Sequence, residues 1–285
     1  MNYSEVAVRF TCDNEYLCGI LARPEQPADS GIVIVVGGPQ TRVGSHRQFV
    51  LLSRALAAAG FPVLRFDYRG MGDSSGAQRD FEHVTPDIRA ASAALQAACP
   101  SVKRIVLWGL CDAAAALLLY WDDTHDPRIA GLCLLNPWVR SEATLAKTQV
   151  KHYYGQRLLQ KAFWRKLLSG KLNLVGALTG FLGKLKQASA GIDSRPGFQD
   201  RMARGLRAFP GPVLLLQSGN DYTAREFLEY ANSAAAWRGL LDRPNVTRID
   251  IAGADHTFSS AGWRNAVAEA CLKWLELSAA QSPGA

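Results

Sequence analysis

RIVLWGLCDAAAALLLY occupies residues 104–120. Its first part, Arg104–Trp108, has the β-branched and aromatic character of a buried strand, and Ala113–Tyr120 is built of alanine and leucine, strong helix formers. Between the two lies Gly109-Leu110-Cys111-Asp112-Ala113. A sharp strand-to-helix turn that presents a reactive side chain at its apex strains the backbone there. It requires small residues two before and two after the apex. With Cys111 at the apex those positions are Gly109 and Ala113. With Asp112 there, as an alkylating carboxylate, they become Leu110 and Ala114, and Leu110 is too bulky. The spacing therefore favours Cys111 as a nucleophile over Asp112. The plain alternative is a cysteine buried after a strand.

The same strand-then-helix unit recurs on both sides. Val6–Phe10 and Leu17–Ala22 read as a pair of short strands around a turn at Cys12–Glu15, followed by strand Gly31–Val36 and helix Ser45–Ala59. Strand Pro62–Phe66 and helix Pro86–Ala98 precede the opening unit, and strand Ile129–Leu135 follows it. Later come strand Val213–Gln217, helix Arg225–Leu240, strand Val246–Ile251 and helix Trp263–Leu277. Such alternation predicts an α/β fold with a mostly parallel sheet flanked by helices. Past Pro137 the rhythm breaks, and residues 141–209 show helical patterning without a strand. The expected organisation is a core of residues 1–140 and 210–285, with a helical cap of 141–209 inserted after the sixth main strand. A cap there is expected to cover the carboxyl ends of the strands, where such sheets bind ligands.

A cysteine acts as a thiolate at neutral pH only with a base or cation beside it. Two strand ends carry suitable residues. Ser218-Gly219-Asn220-Asp221 follows one strand, and Gly253-Ala254-Asp255-His256-Thr257-Phe258 follows the next. Nucleophile, acid, histidine, each after a strand, is the chain order of a hydrolytic triad on an α/β sheet. Asp221 would orient His256, and His256 would activate Cys111. The plain readings are a helix N-cap for Asp221 and a structural loop histidine for His256. Asp255, adjacent to the histidine, is expected to point elsewhere. Developing charge on a carbonyl oxygen needs fixed donors. The backbone N–H of Asp112 is one candidate. In the turn Val36-Gly37-Gly38-Pro39-Gln40 proline has no N–H, so Gly38 is the other. Gln40 and Phe258 are expected to contact substrate.

The 285 residues are 48% hydrophobic and 20% charged, ordinary for a globular protein able to bury a large core. No apolar run approaches the ~20 residues of a membrane span, and the start of the chain does not read as a signal peptide, so a cytoplasmic location is expected. The six cysteines form no CxxC pair or metal-ligand spacing, and most are expected to be core residues. No metal or organic cofactor is implied. Residues 143–192 hold nine Lys or Arg and no Asp or Glu, so the remainder totals −2 of the chain's +7. Two readings of this segment stand open. One is a cap whose cations are merely solvated. The other is a basic amphipathic surface making peripheral contact with an anionic inner membrane. No nucleic-acid module is visible.

These stretches together resemble the α/β-hydrolase superfamily. Val36–Gln40 is similar to its HGGPG turn, with valine for histidine and glutamine for the last glycine, and Gly253–Phe258 is similar to its histidine loop. Phe66-Asp67-Tyr68-Arg69-Gly70-Met71-Gly72-Asp73-Ser74 matches its D-x-R-G-x-G-x-S loop. The elbow departs from G-x-S-x-G at both the nucleophile and the final glycine; a cysteine there is similar to dienelactone hydrolases. GGPQTRVGSHRQF (37–49) and GLCDAA (109–114) resemble exosortase A system-associated hydrolases of type 1, which accompany bacterial exopolysaccharide and protein-sorting genes. The triad and the resemblance together imply an ester or thioester hydrolase, and a small-molecule or lipid-linked acyl substrate is expected. Two alternatives share the sequence: an acyltransferase with the same triad, and a non-catalytic module docking at a membrane or complex.

Overall fold

The computed structural model describes residues 2–38, 40–140 and 197–280. The chain divides into one unit of residues 1–139 and 198–285 and a second of 140–197. Residues 141–196, which carry the basic segment and most of the expected cap, lie outside the described residues.

In the first unit eight strands form one sheet, in the order β1-β2-β4-β3-β5-β6-β7-β8. These are β1 Tyr3–Cys12, β2 Glu15–Pro24, β3 Ser30–Val35, β4 Val63–Asp67, β5 Arg104–Leu110, β6 Ile129–Leu135, β7 Val213–Ser218 and β8 Val246–Ile251. The β1–β2 hairpin pairs antiparallel with itself and with β4; every other pairing is parallel. The central strands are covered on both faces by helices, so they read as continuous apolar runs rather than alternating ones. In β3, Ile32 to Val35 are all at most 1% exposed. The outer strand β1 alternates instead, with Ser4, Val6 and Arg9 among its exposed positions.

The described helices are α1 Gln48–Ala58, α2 Thr85–Ala98, α3 Asp112–Thr124, α4 Phe198–Ala208, α5 Tyr222–Ser233 and α6 Ala261–Ala280. Two helix ends fall three or more residues inside the sequence expectation. Helix α1 starts at Gln48 because His46 and Arg47 take left-handed backbone conformations. Helix α5 stops at Ser233 because Ala234 is extended, and only a short 3-10 turn, Ala235–Trp237, follows.

The sequence expectation ends the insertion at 209. Helix α4 belongs to the first unit, so the core resumes at 198 rather than 210. Its face of Met202, Ala203 and Leu206 is buried, and Gly205 lies so close to the Leu118 carbonyl of α3 that a β-carbon would collide with it. Arg204 on α4 bonds both carboxylate oxygens of Asp122, at 2.9 and 2.6 Å. The helix pattern was readable locally, but its docking surface lies on α3.

The loop after β4 shows why Asp67 and Arg69 stand where they do. Asp67, fully buried, accepts from Arg42 N–H at 2.6 Å and pairs with the Arg42 guanidinium. Ser74 Oγ returns to the Asp67 carbonyl at 2.6 Å, closing the loop. Arg69 forks onto Asp87 of α2, with Nε–Oδ1 at 3.1 Å and Nη2–Oδ2 at 2.8 Å, and Asp87 is wholly buried. Without Asp87 the buried Arg69 guanidinium keeps only the exposed Asp13 carboxylate as a partner, so Asp87→Ala is expected to lower stability by up to about 3–5 kcal/mol. Urea unfolding monitored by circular dichroism measures this. A loss below about 1 kcal/mol, as at an exposed pair, would show that the fork does not hold the loop.

The topology also sets the position of the site. Strand β3 neighbours β4 on one side and β5 on the other, in register Val35↔Gly109 on the β5 side. The chain turns in opposite directions from these adjacent parallel strands, and their carboxyl ends open a crevice. The glycine turn after β3 and the Cys111 turn after β5 therefore lie side by side.

Candidate active site

Cys111 sits at φ 64°, ψ −124°, between β5 and α3. This backbone region costs a non-glycine residue about 1–3 kcal/mol and persists only where the surroundings impose it. Here the surroundings are explicit. Cys111 N–H donates to the Leu135 carbonyl of β6 at 2.8 Å, and its own carbonyl accepts from Trp138 N–H at 3.1 Å. Gly109 must lack a β-carbon, which would lie 2.8 Å from the Ala113 carbonyl carbon and 2.9 Å from Ala114 N. Of the six cysteines, Cys12, Cys99, Cys133 and Cys271 are buried, whereas Cys18 and Cys111 are partly exposed.

The loops after β7 and β8 meet Cys111 from one side. His256 Nδ1 lies 2.8 Å from Asp221 Oδ2, and the Cys111 side chain is near enough to the ring to raise its pKa. With Nδ1 held by the acid, Nε2 is the nitrogen left for the sulfur. The structure thus brings together Cys111, His256 and Asp221, three residues separated by 145 positions of chain between the first and last. Asp221 is also the N-cap of α5, accepting from Thr223 N–H at 3.2 Å and Ala224 N–H at 3.1 Å. The two sequence readings of Asp221 are therefore compatible. Asp255 points away and shapes its own loop, accepting from Thr257 and Ser259 N–H at 3.2 and 2.9 Å.

Sequence reasoning missed the residues that fasten these loops. Buried Asn136, just after β6, donates through Nδ2 to Ser218 Oγ at 2.8 Å and to the His256 carbonyl at 3.2 Å; its Oδ1 accepts from Ser218 N–H at 2.8 Å. Ser218 Oγ donates in turn to the Asp255 carbonyl at 2.9 Å. The acid loop and the histidine loop are thereby tied to one amide. An asparagine directly at a strand end was the available signal.

The hydrogen bond to Asp221, then the neighbouring Cys111 side chain, pushes the His256 pKa up to about 10 against the opposing effect of burial. Burial alone would raise the Asp221 carboxyl, but the His256 hydrogen bond and charge, with the N–H groups of Ala224 and Thr223, hold it below its usual value. A raised histidine pKa means that the folded state binds the proton more tightly. Its stabilisation is complete below the unfolded value of ~6.5 and is lost as pH rises through about 10. The lowered Asp221 contributes above its unfolded value of ~3.9 and is lost as pH falls. Wild type should therefore exceed Asp221→Asn in stability most between about pH 4 and 6.5, and the gap should narrow toward pH 10. Urea midpoints across this range test the linkage, and a gap constant from pH 5 to 10 would refute it.

The candidate oxyanion donors also come together. Gly38 has φ 57°, which suits glycine, and a β-carbon on Gly37 would collide with the Asp112 side chain and lie 2.7 Å from the Leu110 carbonyl. The glycine turn thus packs directly on the Cys111 turn. Gly38 N–H, however, donates to Asp112 Oδ2 at 2.8 Å. Burial raises the Asp112 pKa, opposed by the N–H groups of Gly38, Ala113 and Asp112 itself. Its Oδ1 is enclosed and has no hydrogen-bond partner among the described residues.

The two residues expected to contact substrate are placed differently. Gln40 Oε1 accepts from Ser45 N–H at 3.1 Å and from Gln48 Nε2 at 3.3 Å, so its amide oxygen is committed to the approach to α1. Phe258 is 2% exposed and, with Leu52, Trp108 and Val267, lines a cavity of about 260 Å³ whose wall includes neither Cys111 nor His256.

A family model described as "Alpha/beta hydrolase family" matches residues 32–270. No curated protein matches the chain. Solved structures of similar architecture include an esterase from Pyrococcus furiosus, 19% identical over 95% of this chain and 93% of the esterase, with a TM-score of 0.61. Dienelactone hydrolase from Anabaena variabilis is 13% identical over 98% of this chain and 99% of its own, with a TM-score of 0.62. The alpha/beta hydrolase GrgF from a Penicillium species is 17% identical over 98% and 99%, with a TM-score of 0.64. At such identities these likenesses speak for the fold.

Proposed function

Since the chain belongs to the alpha/beta hydrolase family, we propose that it hydrolyses an ester or thioester through a Cys111–His256–Asp221 triad and an acyl-enzyme intermediate. The observation that carries this reading is the imidazole of His256, 2.8 Å from Asp221 and beside the Cys111 side chain, next to a strained strand-to-helix turn.

Chemistry follows from these positions. His256 Nε2 takes the Cys111 proton, and the imidazolium, stabilised by Asp221, favours the thiolate beside it. The sulfur attacks the acyl carbon, and the N–H groups of Gly38 and Asp112 take the charge on oxygen. Collapse of the tetrahedral adduct expels the alcohol or thiol, which receives the proton from His256. Water, losing a proton to His256, then attacks the Cys111 thioester, and the acid leaves as the sulfur recovers its proton. The GGPQTRVGSHRQF and GLCDAA stretches support a place in exosortase-linked metabolism, with a small-molecule or lipid-linked acyl donor.

The test is to turn over short-chain p-nitrophenyl esters and thioesters, quench with acid, and locate the acyl group by peptide mass spectrometry. Acylation of the peptide carrying Cys111, absent from Cys111→Ala, is expected. Steady turnover with the acyl group on another residue would overturn the assignment.

A further inference from the structure

One of the donors that acyl chemistry needs is already occupied. Gly38 N–H donates to Asp112 Oδ2 at 2.8 Å, and the N–H groups of Ala113 and of Asp112 itself act on the same carboxylate. Asp112 Oδ1 is enclosed, has no hydrogen-bond partner among the described residues, and stands against Gly37 so closely that no β-carbon fits there. A carboxylate oxygen held by Gly38 N–H, beside the amide of the residue after the nucleophile, takes the place that a tetrahedral oxyanion must take. We propose that the Asp112 side chain is an internal ligand of the oxyanion site, which the carbonyl oxygen of a substrate must displace before Cys111 can react. This rests on the reading of Cys111 as nucleophile and of Gly38 and Asp112 as donors.

The consequence is specificity. A carboxylate bonds backbone N–H groups roughly twice as strongly as a neutral carbonyl does. A small ester therefore cannot displace it efficiently from its own carbonyl alone. Binding energy from remote parts of a larger acyl donor has to supply the difference. Displacement is feasible because the side chain alone has to turn; the Asp112 N–H stays in the first turn of α3 as a donor. The enclosed, unbonded Oδ1 also gains a hydrogen-bond partner when it reaches water, which offsets part of the lost bonding. Asp112 is on this account a specificity-determining residue that discriminates against small activated esters. The plainer account is an acidic residue in a first helical turn, favoured by the helix dipole alone.

The experiment compares wild type, Asp112→Ala, Asp112→Asn and Cys111→Ala by three readouts. These are kcat/KM for p-nitrophenyl acetate, inhibition by butyraldehyde, and the rate of Cys111 alkylation by iodoacetamide. The aldehyde forms a hemithioacetal whose oxygen needs the donors, whereas alkylation places no charge there. Asp112→Ala should raise kcat/KM and tighten butyraldehyde inhibition by about tenfold or more, with alkylation unchanged. Asp112→Asn keeps an acceptor for Gly38 N–H without the charge and should fall between. Unchanged or weaker ester turnover and aldehyde binding in an Asp112→Ala protein that melts like wild type would overturn the inference. So would alkylation accelerated by the same factor as the ester, since the effect would then lie on the thiol. A silent Cys111→Ala beside an unchanged Asp112→Ala sinks this inference alone; a fully active Cys111→Ala sinks the triad with it.

Discussion

Cys111→Ala is expected to lower kcat for any ester or thioester that the wild type hydrolyses by at least about 10³-fold, because covalent catalysis is lost and only oriented binding remains. The substitution suits the purpose because it leaves the fold alone. Cys111 is partly exposed rather than a core residue, and the bonds that hold its backbone run from its own N–H and carbonyl to Leu135 and Trp138. Alanine keeps both bonds and meets the same strained φ of 64°. A loss of activity with an unchanged melting temperature therefore reports the sulfur. Turnover within tenfold of wild type would move the nucleophile elsewhere.

Asp221→Asn is expected to lower kcat by about 10³–10⁴-fold while changing KM little, because an amide at this position favours the wrong imidazole tautomer and cannot stabilise the imidazolium. Asp221 has two tasks, and asparagine separates them. It caps a helix about as well as aspartate does, so the start of α5 keeps its acceptor for Thr223 or Ala224 N–H. The negative charge 2.8 Å from His256 Nδ1 is what disappears. The measurement is kcat against pH for both proteins, supported by thermal melts. A loss of less than tenfold, or one confined to KM, would reduce Asp221 to a cap.

Where local patterning was strong, sequence and structure agree closely. The strand expected at Ile129–Leu135 has these ends in the structure, and helix α2 begins one residue before its predicted start. The chain order Cys111, Asp221, His256 was readable because each residue follows an apolar strand run directly, and parallel strands bring their carboxyl ends to one edge. Asp67 and Arg69 stood out as a motif, but their partners Arg42 and Asp87 did not, since nothing in the intervening sequence marks them. Helix α4 was assigned to the insertion because its amphipathic pattern says which face is buried, and not against what.

What the sequence by itself determined is whatever a few adjacent residues decide. This includes strand and helix alternation, the small residues around Cys111, and the candidate acid and histidine at strand ends. Steric limits and side-chain period act over a single turn or strand, so they are written locally. Only the tertiary structure decided which partner each polar group takes. Asn136 ties Ser218 to His256 across 82 and 120 positions of chain, and Asp112 turns onto Gly38 across 74. Those bonds exist because the sheet sets β3 beside β5, and β6 beside β7. A buried polar group must find a partner among the neighbours that packing supplies.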